Sequence, residues 1–379
     1  MRKTFKYRLY PTKAQRFKLE RVLTLCRWLY NAALEQRIIA YKSYGKSLNY
    51  YDQANELPML DKEYNDVFSQ VKQDVLKRLD KAFKAFFRRL ELRGGKAGFP
   101  RFRAEHRFDS FTYPQLGFSL GEDNRVYLSK IGSIRVKLHR SITGKIKTCT
   151  IKREVDQWYV MFSCDIPESD IQHVLDETNS IGIDVGLESF AVTSDNEFID
   201  NPRYFRKSEE RLAQAQRSLQ KKKRGSNKRR KERLRVAKCH RKTKRQREDF
   251  QHKVSRYLIN RYDVVYMEDL NIRNMLRNHR LAKSISDAGW GQFTNFMVYK
   301  AAEAGKQVVF VDPRGTSQRC SQCGNVVLKE IHDRWHCCLV CGFQADRDYN
   351  SALEIKRLGR SPRLDLVENA GSKREAAAL

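Results

Sequence analysis

Two copies of one short pattern, Cys320-Ser-Gln-Cys323-Gly and Cys338-Leu-Val-Cys341-Gly, constrain this chain more than any other feature. Each CxxC places two thiolates on one tight turn, and the glycine after it lets backbone N–H groups approach the sulfurs. Two such turns predict a closed, tetrahedral four-thiolate site of the kind that holds structural zinc. A redox dithiol needs only one CxxC. Cys337 precedes the second turn and could slide the register, but its spacing to Cys341 is one residue too long. Cys26, Cys149, Cys164 and Cys239 are scattered and read as buried or incidental thiols. Cysteines used as ligands and buried thiols, rather than disulfides, point to an intracellular, cytoplasmic protein.

The charge balance is the second constraint. Lys and Arg number 75 against 45 Asp and Glu, a formal +30. Such an excess favours a polyanionic partner, because neutralised phosphates release counterions. Nothing approaches the ~20 consecutive apolar residues of a spanning helix, and the alternating start, MRKTFKYRLYP, lacks the apolar core of a signal peptide.

Along the chain, a short strand ending near Pro11 leads into helices. One carries Leu19, Val22, Leu23, Cys26, Leu29 and Tyr30 at helical spacing. A second, from about Val67 to Leu90, carries Val71, Leu76, Leu79, Phe83, Phe86 and Leu90. Gly94, Gly95 and Gly98 break it, and GFPRFR follows. To about Pro167 the chain reads as antiparallel strands separated by turns, and Pro167 to Ser180 reads as a linker. From Ile181 the pattern becomes α/β: SIGIDVG and ESFAVTS as strands, a long helical segment from about Tyr204 to Tyr262 broken at Gly225 to Asn227, then the strands DVVYMEDL and QVVFVD. Between Lys221 and Arg247, 16 basic residues meet a single acid, Glu232, a density that repels itself without a counter-polyanion. Lys221, Lys222, Lys223, Arg224, Arg229 and Arg230 are therefore candidate nucleic-acid contacts.

Three acids stand out. In SIGIDVG, Ile181, Ile183 and Val185 point to one face, and Gly182, Asp184 and Gly186 share the other. An acid inside an apolar strand is costly unless something such as a cation pairs with it, and the flanking glycines would let a phosphate backbone come close. Glu268 and Asp269 end another β-prone run. In Asp346-Arg-Asp-Tyr-Asn, Asp346 fits a helix N-cap and Asp348 lies in the first turn. Asp184, Glu268 and Asp348 together fit phosphodiester hydrolysis by two Mg²⁺ ions about 4 Å apart. The eight histidines show no competing spacing.

The order of these pieces resembles the TnpB family of bacterial insertion sequences, compact relatives of type V CRISPR effectors. RLYPTKAQ, LCRWLYN, GFPRFR, IGIDVG, MEDLNI, SISDAGW, TSQRCSQCG and CCLVCGFQADRDYNSAL carry the resemblance across nearly the whole chain. It implies an RNA-guided DNA endonuclease that cuts beside a short adjacent motif. Its partners would be a guide RNA from the end of its own element, a double-stranded DNA target and the element's transposase, near the nucleoid of a bacterium or archaeon. It also implies α/β plus β-barrel architecture. Residues 1–11 and 96–175 would form an oligonucleotide-binding-like barrel, with a helical recognition lobe inserted at 12–95. Residues 176–358 would form an RNase H-like RuvC nuclease domain interrupted by a zinc ribbon at about 315–345, and 359–379 a disordered tail. By the resemblance, Asp184, Glu268 and Asp348 are the catalytic acids, Asp269 and Asp346 support them, and Tyr50 and Gln73 lie where the family reads the adjacent motif. A DNA-binding regulator that does not cleave, or a transposase joining ends itself, is the alternative.

Overall fold

The structure is a computed structural model that describes residues 2–60, 62–92, 97–167, 175–330 and 332–361. Gly94 and Gly95, the middle of the expected linker and all but three residues of the expected tail lie outside the described residues. The chain divides into two compact units, Met1–Asp170 and Ile171–Leu379.

The first unit begins with β1 (Arg2–Tyr10), whose alternation buries Phe5, Tyr7 and Leu9 and leaves Lys3, Lys6 and Arg8 less covered. Helix α1 (Lys13–Tyr44) starts at a capping box of Thr12 with Gln15 and stops at Gly45, where φ is +61°. Its expected stripe is buried from Leu19 to Tyr30. Helices α2 (Tyr50–Ala54) and α3 (Ser69–Glu91) follow. The stripe of α3 is only half core: Val71, Leu76 and Leu79 are buried, Phe83 and Phe86 are half-buried, and Leu90 is exposed.

Strands β2 (Ser110–Tyr113), β3 (Phe118–Leu120), β4 (Arg125–Leu128), β5 (Gly132–Lys137), β6 (Lys145–Glu154) and β7 (Gln157–Asp165) join β1 in one antiparallel sheet of order β2-β6-β7-β1-β5-β4-β3. Strands β2 and β3 are its two edges, yet they are consecutive in sequence. Laid flat, six inter-strand steps would separate them by roughly 29 Å, while the chain from Tyr113 to Phe118 reaches at most about 18 Å. The sheet must therefore curl until its edges meet, and the Tyr113 and Phe118 rings are 6.4 Å apart.

In the second unit, β8 (Ser180–Asp184), β9 (Ser189–Thr193) and β10 (Phe198–Asp200) form an antiparallel meander. Helices α4 (Tyr204–Gln220) and α5 (Asn227–Arg261) form the expected hairpin, broken at Gly225. Strand β11 (Val264–Glu268) then returns parallel to β8. After α6 (Ile272–Met275), α7 (Ala282–Ala288) and α8 (Trp290–Glu303), β12 (Gln307–Val311) lies parallel to β11, giving the order β10-β9-β8-β11-β12. Ile181, Ile183, Val265 and Met267 pack into a core with α5 and α8. The opposite face is covered by α9 (Arg347–Arg360), which follows a small hairpin of β13 (Trp335–Cys337) and β14 (Gln344–Asp346).

Helix α9 lies on β8 because Gly182 has no side chain. A Cβ there would sit 2.1 Å from the Ala352 carbonyl oxygen and 2.8 Å from the Lys356 nitrogen. The expectation that this glycine opens the strand to a phosphate is thus corrected: Gly182 admits a helix. Among the described residues, no helix is long and apolar enough to cross a membrane.

Candidate active site and metal centre

Asp184 and Glu268 end adjacent parallel strands. Met267 is in register with Ile183, so the next residues stand side by side on the face that α9 covers. The C-terminal end of parallel strands is where open α/β sheets commonly place ligands. Asp348 reaches them through the pitch of two elements. Four helical residues rise about 6 Å and two strand residues about 6.6 Å. Setting Ala352 over Gly182 therefore brings Asp348, one turn earlier, beside Asp184. An added Cβ on Gly186 would lie 3.9 Å from an Asp348 carboxylate oxygen. At the other end Arg360 donates to Ser180 Oγ (3.2 Å) and to the Thr178 carbonyl (3.1 Å), fixing the helix lengthwise.

The site is electrostatically loaded. Burial, with the Glu268 and Asp348 carboxylates alongside, pushes the Asp184 carboxyl well above its usual range, although some of its surface stays accessible. Arg347 pulls the other way and is bound to Asp348 at 3.0 Å. Burial also raises Glu268, opposed by a 2.5 Å hydrogen bond from the Thr316 hydroxyl. Arg334 spans Glu188 (2.7 Å) and Asp348 (3.7 Å). Partly buried acids that crowd Asp184 with negative charge form a donor set suited to hard divalent cations. Asp346 caps α9 by accepting from the backbone N–H groups of Asp348 and Tyr349, and Asp269 is exposed.

The sulfurs of Cys320, Cys323, Cys338 and Cys341 all lie within 4.8 Å of one another. They are the only three or more His, Cys, Asp or Glu ligands so closely grouped among the described residues, so the carboxylates are more widely set. The Cys320–Cys341 and Cys323–Cys338 sulfurs are 3.6 and 3.5 Å apart. A tetrahedron of zinc–sulfur bonds near 2.3 Å has edges of about 3.8 Å, so the cluster fits structural zinc. The two turns repeat one geometry. Gly324 and Gly342 have φ of +76° and +74° and donate to the carbonyls of Cys320 and Cys338. Backbone N–H groups of Cys341 and Val340 lower the pKa of the Cys338 thiol, as suits a thiolate ligand. Cys337 is exposed on β13 and outside the cluster.

Sequence reasoning missed three polar residues that join these parts. Buried Asn350 donates to the Arg319 carbonyl and accepts from the Ser321 N–H, tying the first cysteine turn to α9. Thr316 holds Glu268. Asp287, in SISDAGW, accepts from the N–H groups of Phe205 and Arg206 and pairs with Arg247 (3.3 Å), so it caps α4 and ties the basic hairpin to α7. The only signal for each was a polar residue in a stretch shared with the family.

The expected nucleic-acid residues fall on both units. Lys221, Lys223, Arg224 and Arg230 are exposed at the turn of the α4–α5 hairpin, and Lys222 is half-buried. Arg229 instead turns inward and donates to the carbonyls of Leu219 (3.0 Å) and Lys222 (2.8 Å), closing the end of α4. Tyr50 is half-buried at the start of α2 with Lys77 over its ring, and Gln73 is exposed on α3.

The sequence that builds this mixed five-stranded sheet and its attached four-cysteine cluster matches known families. Residues 161–279 match the OrfB family of IS605 elements, described as "Probable transposase", and 290–355 match "Cas12f1-like, TNB domain". Residues 1–46 match an OrfB "Helix-turn-helix domain", although the structure has one strand and one long helix there. A "Putative RNA-guided DNA endonuclease" of Streptomyces pristinaespiralis is 32% identical over 375 residues, covering 95% of this chain and 90% of that protein. The Escherichia coli K12 protein "Putative RNA-guided DNA endonuclease InsQ" is 30% identical, covering 94% and 92%. The chain belongs to the TnpB (OrfB, IS605) family, related to Cas12f. Its fold is that of the protein in "Cryo-EM structure of the Cas12f1-sgRNA-target DNA complex", at 16% identity, TM-score 0.57 and coverage of 90% of this chain and 82% of that one.

Proposed function

We propose that this protein is an RNA-guided DNA endonuclease of an IS605-type element, cutting target DNA beside a short adjacent motif by metal-dependent phosphodiester hydrolysis. The observation that carries the proposal is the meeting of Asp184, Glu268 and Asp348, from two neighbouring strands and the helix across them. Relatives named as RNA-guided endonucleases, aligned over nearly the whole chain, support it.

Two Mg²⁺ ions held by these carboxylates would activate the attacking water and stabilise the leaving oxygen. The chain's own residues prepare that site. Asp184 supplies a carboxylate to the middle of the group, Glu268 is held from one side by Thr316, and Asp348 is held from the other by Arg347 and the Asp346 cap. The exposed lysines and arginines of the α4–α5 turn supply phosphate contacts. Residues 176–358 act as the RuvC-type, RNase H-like nuclease domain with its zinc ribbon. The curled sheet acts as the oligonucleotide-binding barrel, and 12–95 as the lobe whose Tyr50 and Gln73 read the adjacent motif. Base pairing with the guide then reads the remaining sequence.

Protein purified with its bound RNA is expected to linearise a plasmid carrying the guide-matched sequence in Mg²⁺. Asp184→Ala should reduce cleavage by about a thousandfold while still binding the RNA. If wild type and Asp184→Ala leave the plasmid equally intact, the protein is a DNA-binding regulator instead. Sequencing the copurified RNA identifies the guide.

A further inference from the structure

The loop between β12 and the first cysteine turn carries a second connection to the carboxylates. Val311, the last residue of β12, is in register with Glu268, so the loop departs beside that acid. Gly315, with φ of +78°, turns the chain back. Thr316 is thereby delivered to a buried position, 3% exposed, four residues before Cys320. Its hydroxyl lies 2.5 Å from Glu268 Oε1 and 3.0 Å from the Pro313 carbonyl. A hydroxyl has one proton, and the shorter, charge-assisted bond to an ionised carboxylate takes it.

We infer that Thr316 is the positioning residue for Glu268. It fixes one oxygen of the carboxylate and leaves the other for a divalent cation. This rests on the metal-dependent nuclease reading and deepens it. A glutamate side chain has three rotatable bonds, the last of them broad, so a carboxylate at a strand end needs an external contact to hold one orientation. Losing an outer contact of this kind typically costs about 10–100-fold in metal affinity. The zinc ribbon then orients two acids. Its leading loop supplies the hydroxyl that holds Glu268, and its trailing strand β14 ends in the Asp346 cap that sets Asp348.

The test is Mn²⁺ binding to the full-length, zinc-loaded protein, followed by electron paramagnetic resonance, with Asp184→Ala defining the background. Thr316→Val and Thr316→Ala are expected to weaken the Asp184-dependent binding by about tenfold or more. Thr316→Ser, which keeps the hydroxyl, should stay within about threefold of wild type. All three should retain their zinc. Wild-type Mn²⁺ affinity in Thr316→Ala overturns the inference. So does a loss in Thr316→Ser equal to that in Thr316→Ala, which would assign the effect to packing. Loss of zinc from Thr316→Ala also overturns it, because the residue would then belong to the ribbon's own folding. If Asp184→Ala binds Mn²⁺ as wild type does, the carboxylate metal site itself falls. If only the Thr316 variants bind normally, that site stands without this residue.

Discussion

The four cysteines and the three carboxylates are both candidate metal sites in the same unit, but they are assembled in opposite ways. The thiols come from two turns within 22 residues, each shaped by its own glycine and by backbone hydrogen bonds local to the turn. They form a closed set. The carboxylates come from positions 184, 268 and 348 and owe their meeting to strand register and to a helix laid over a glycine. They crowd charge into partly buried surroundings and stay more widely set. A closed soft-ligand site stabilises structure, whereas an open oxygen-ligand site can receive a substrate. The difference teaches that local chain geometry suffices for the thiol cluster, while the carboxylate cluster requires the whole sheet.

The comparison predicts a one-way dependence. Cys338→Ser should abolish zinc binding and lower the melting midpoint by about 10 °C or more, since a structural zinc contributes folding free energy directly. It should also remove cleavage, because β14 and the Asp346 cap lead directly into α9. Zinc content by mass spectrometry, calorimetry and plasmid cutting check all three. Asp184→Ala, by contrast, should keep its zinc. A Cys338→Ser protein that cuts normally would break the link between the two sites.

Gly182→Ala attacks the carboxylate site alone. Its methyl group would land against the α9 backbone, an overpacking cost of about 1–3 kcal/mol. Denaturant unfolding should show that loss, with zinc unchanged and cleavage reduced as Asp348 is displaced. Full activity in this variant would mean that the glycine does not set the helix position.

The smallest expected effect is a pH dependence of the metal-free protein. Asp184 and Glu268 have folded pKa values raised above their unfolded ones. Their contribution to stability is therefore fully present below the ordinary carboxylate range and is lost as pH rises through the raised values. In EDTA, wild type should melt lower at pH 7 than just above the ordinary carboxylate range once other groups are allowed for. Asp184→Asn should remove part of that slope and stabilise the neutral-pH protein. Mg²⁺ should reverse the order, favouring wild type. A slope unchanged by Asp184→Asn would show that the acids do not repel one another in the free protein.

Much of this was legible in the residues. The spacing of Cys320, Cys323, Cys338 and Cys341 names the thiol site because both partners of each turn are three positions apart. The alternation in β1, the stripe of α1 and the break at Gly225 were legible for the same reason: each is a local period that one face of one element must satisfy. The short strands β3 and β10 carry too few residues to show a period.

What the sequence alone determined was the chemistry available: a zinc-binding hairpin, a basic helical hairpin, and acids at strand and helix ends. Choosing Asp348 over Asp346 took the family resemblance; in the structure Asp346 caps the helix, the N-cap role its place in the sequence suggested. Only the tertiary structure decided that Gly182 receives α9, that Arg229 closes a helix end, that Leu90 stays exposed, and that Thr316 and Asn350 join the ribbon to the acids. These depend on which distant segment occupies a given face. Hydrophobic period and turn spacing describe a segment's own geometry and carry no information about the neighbour it will meet.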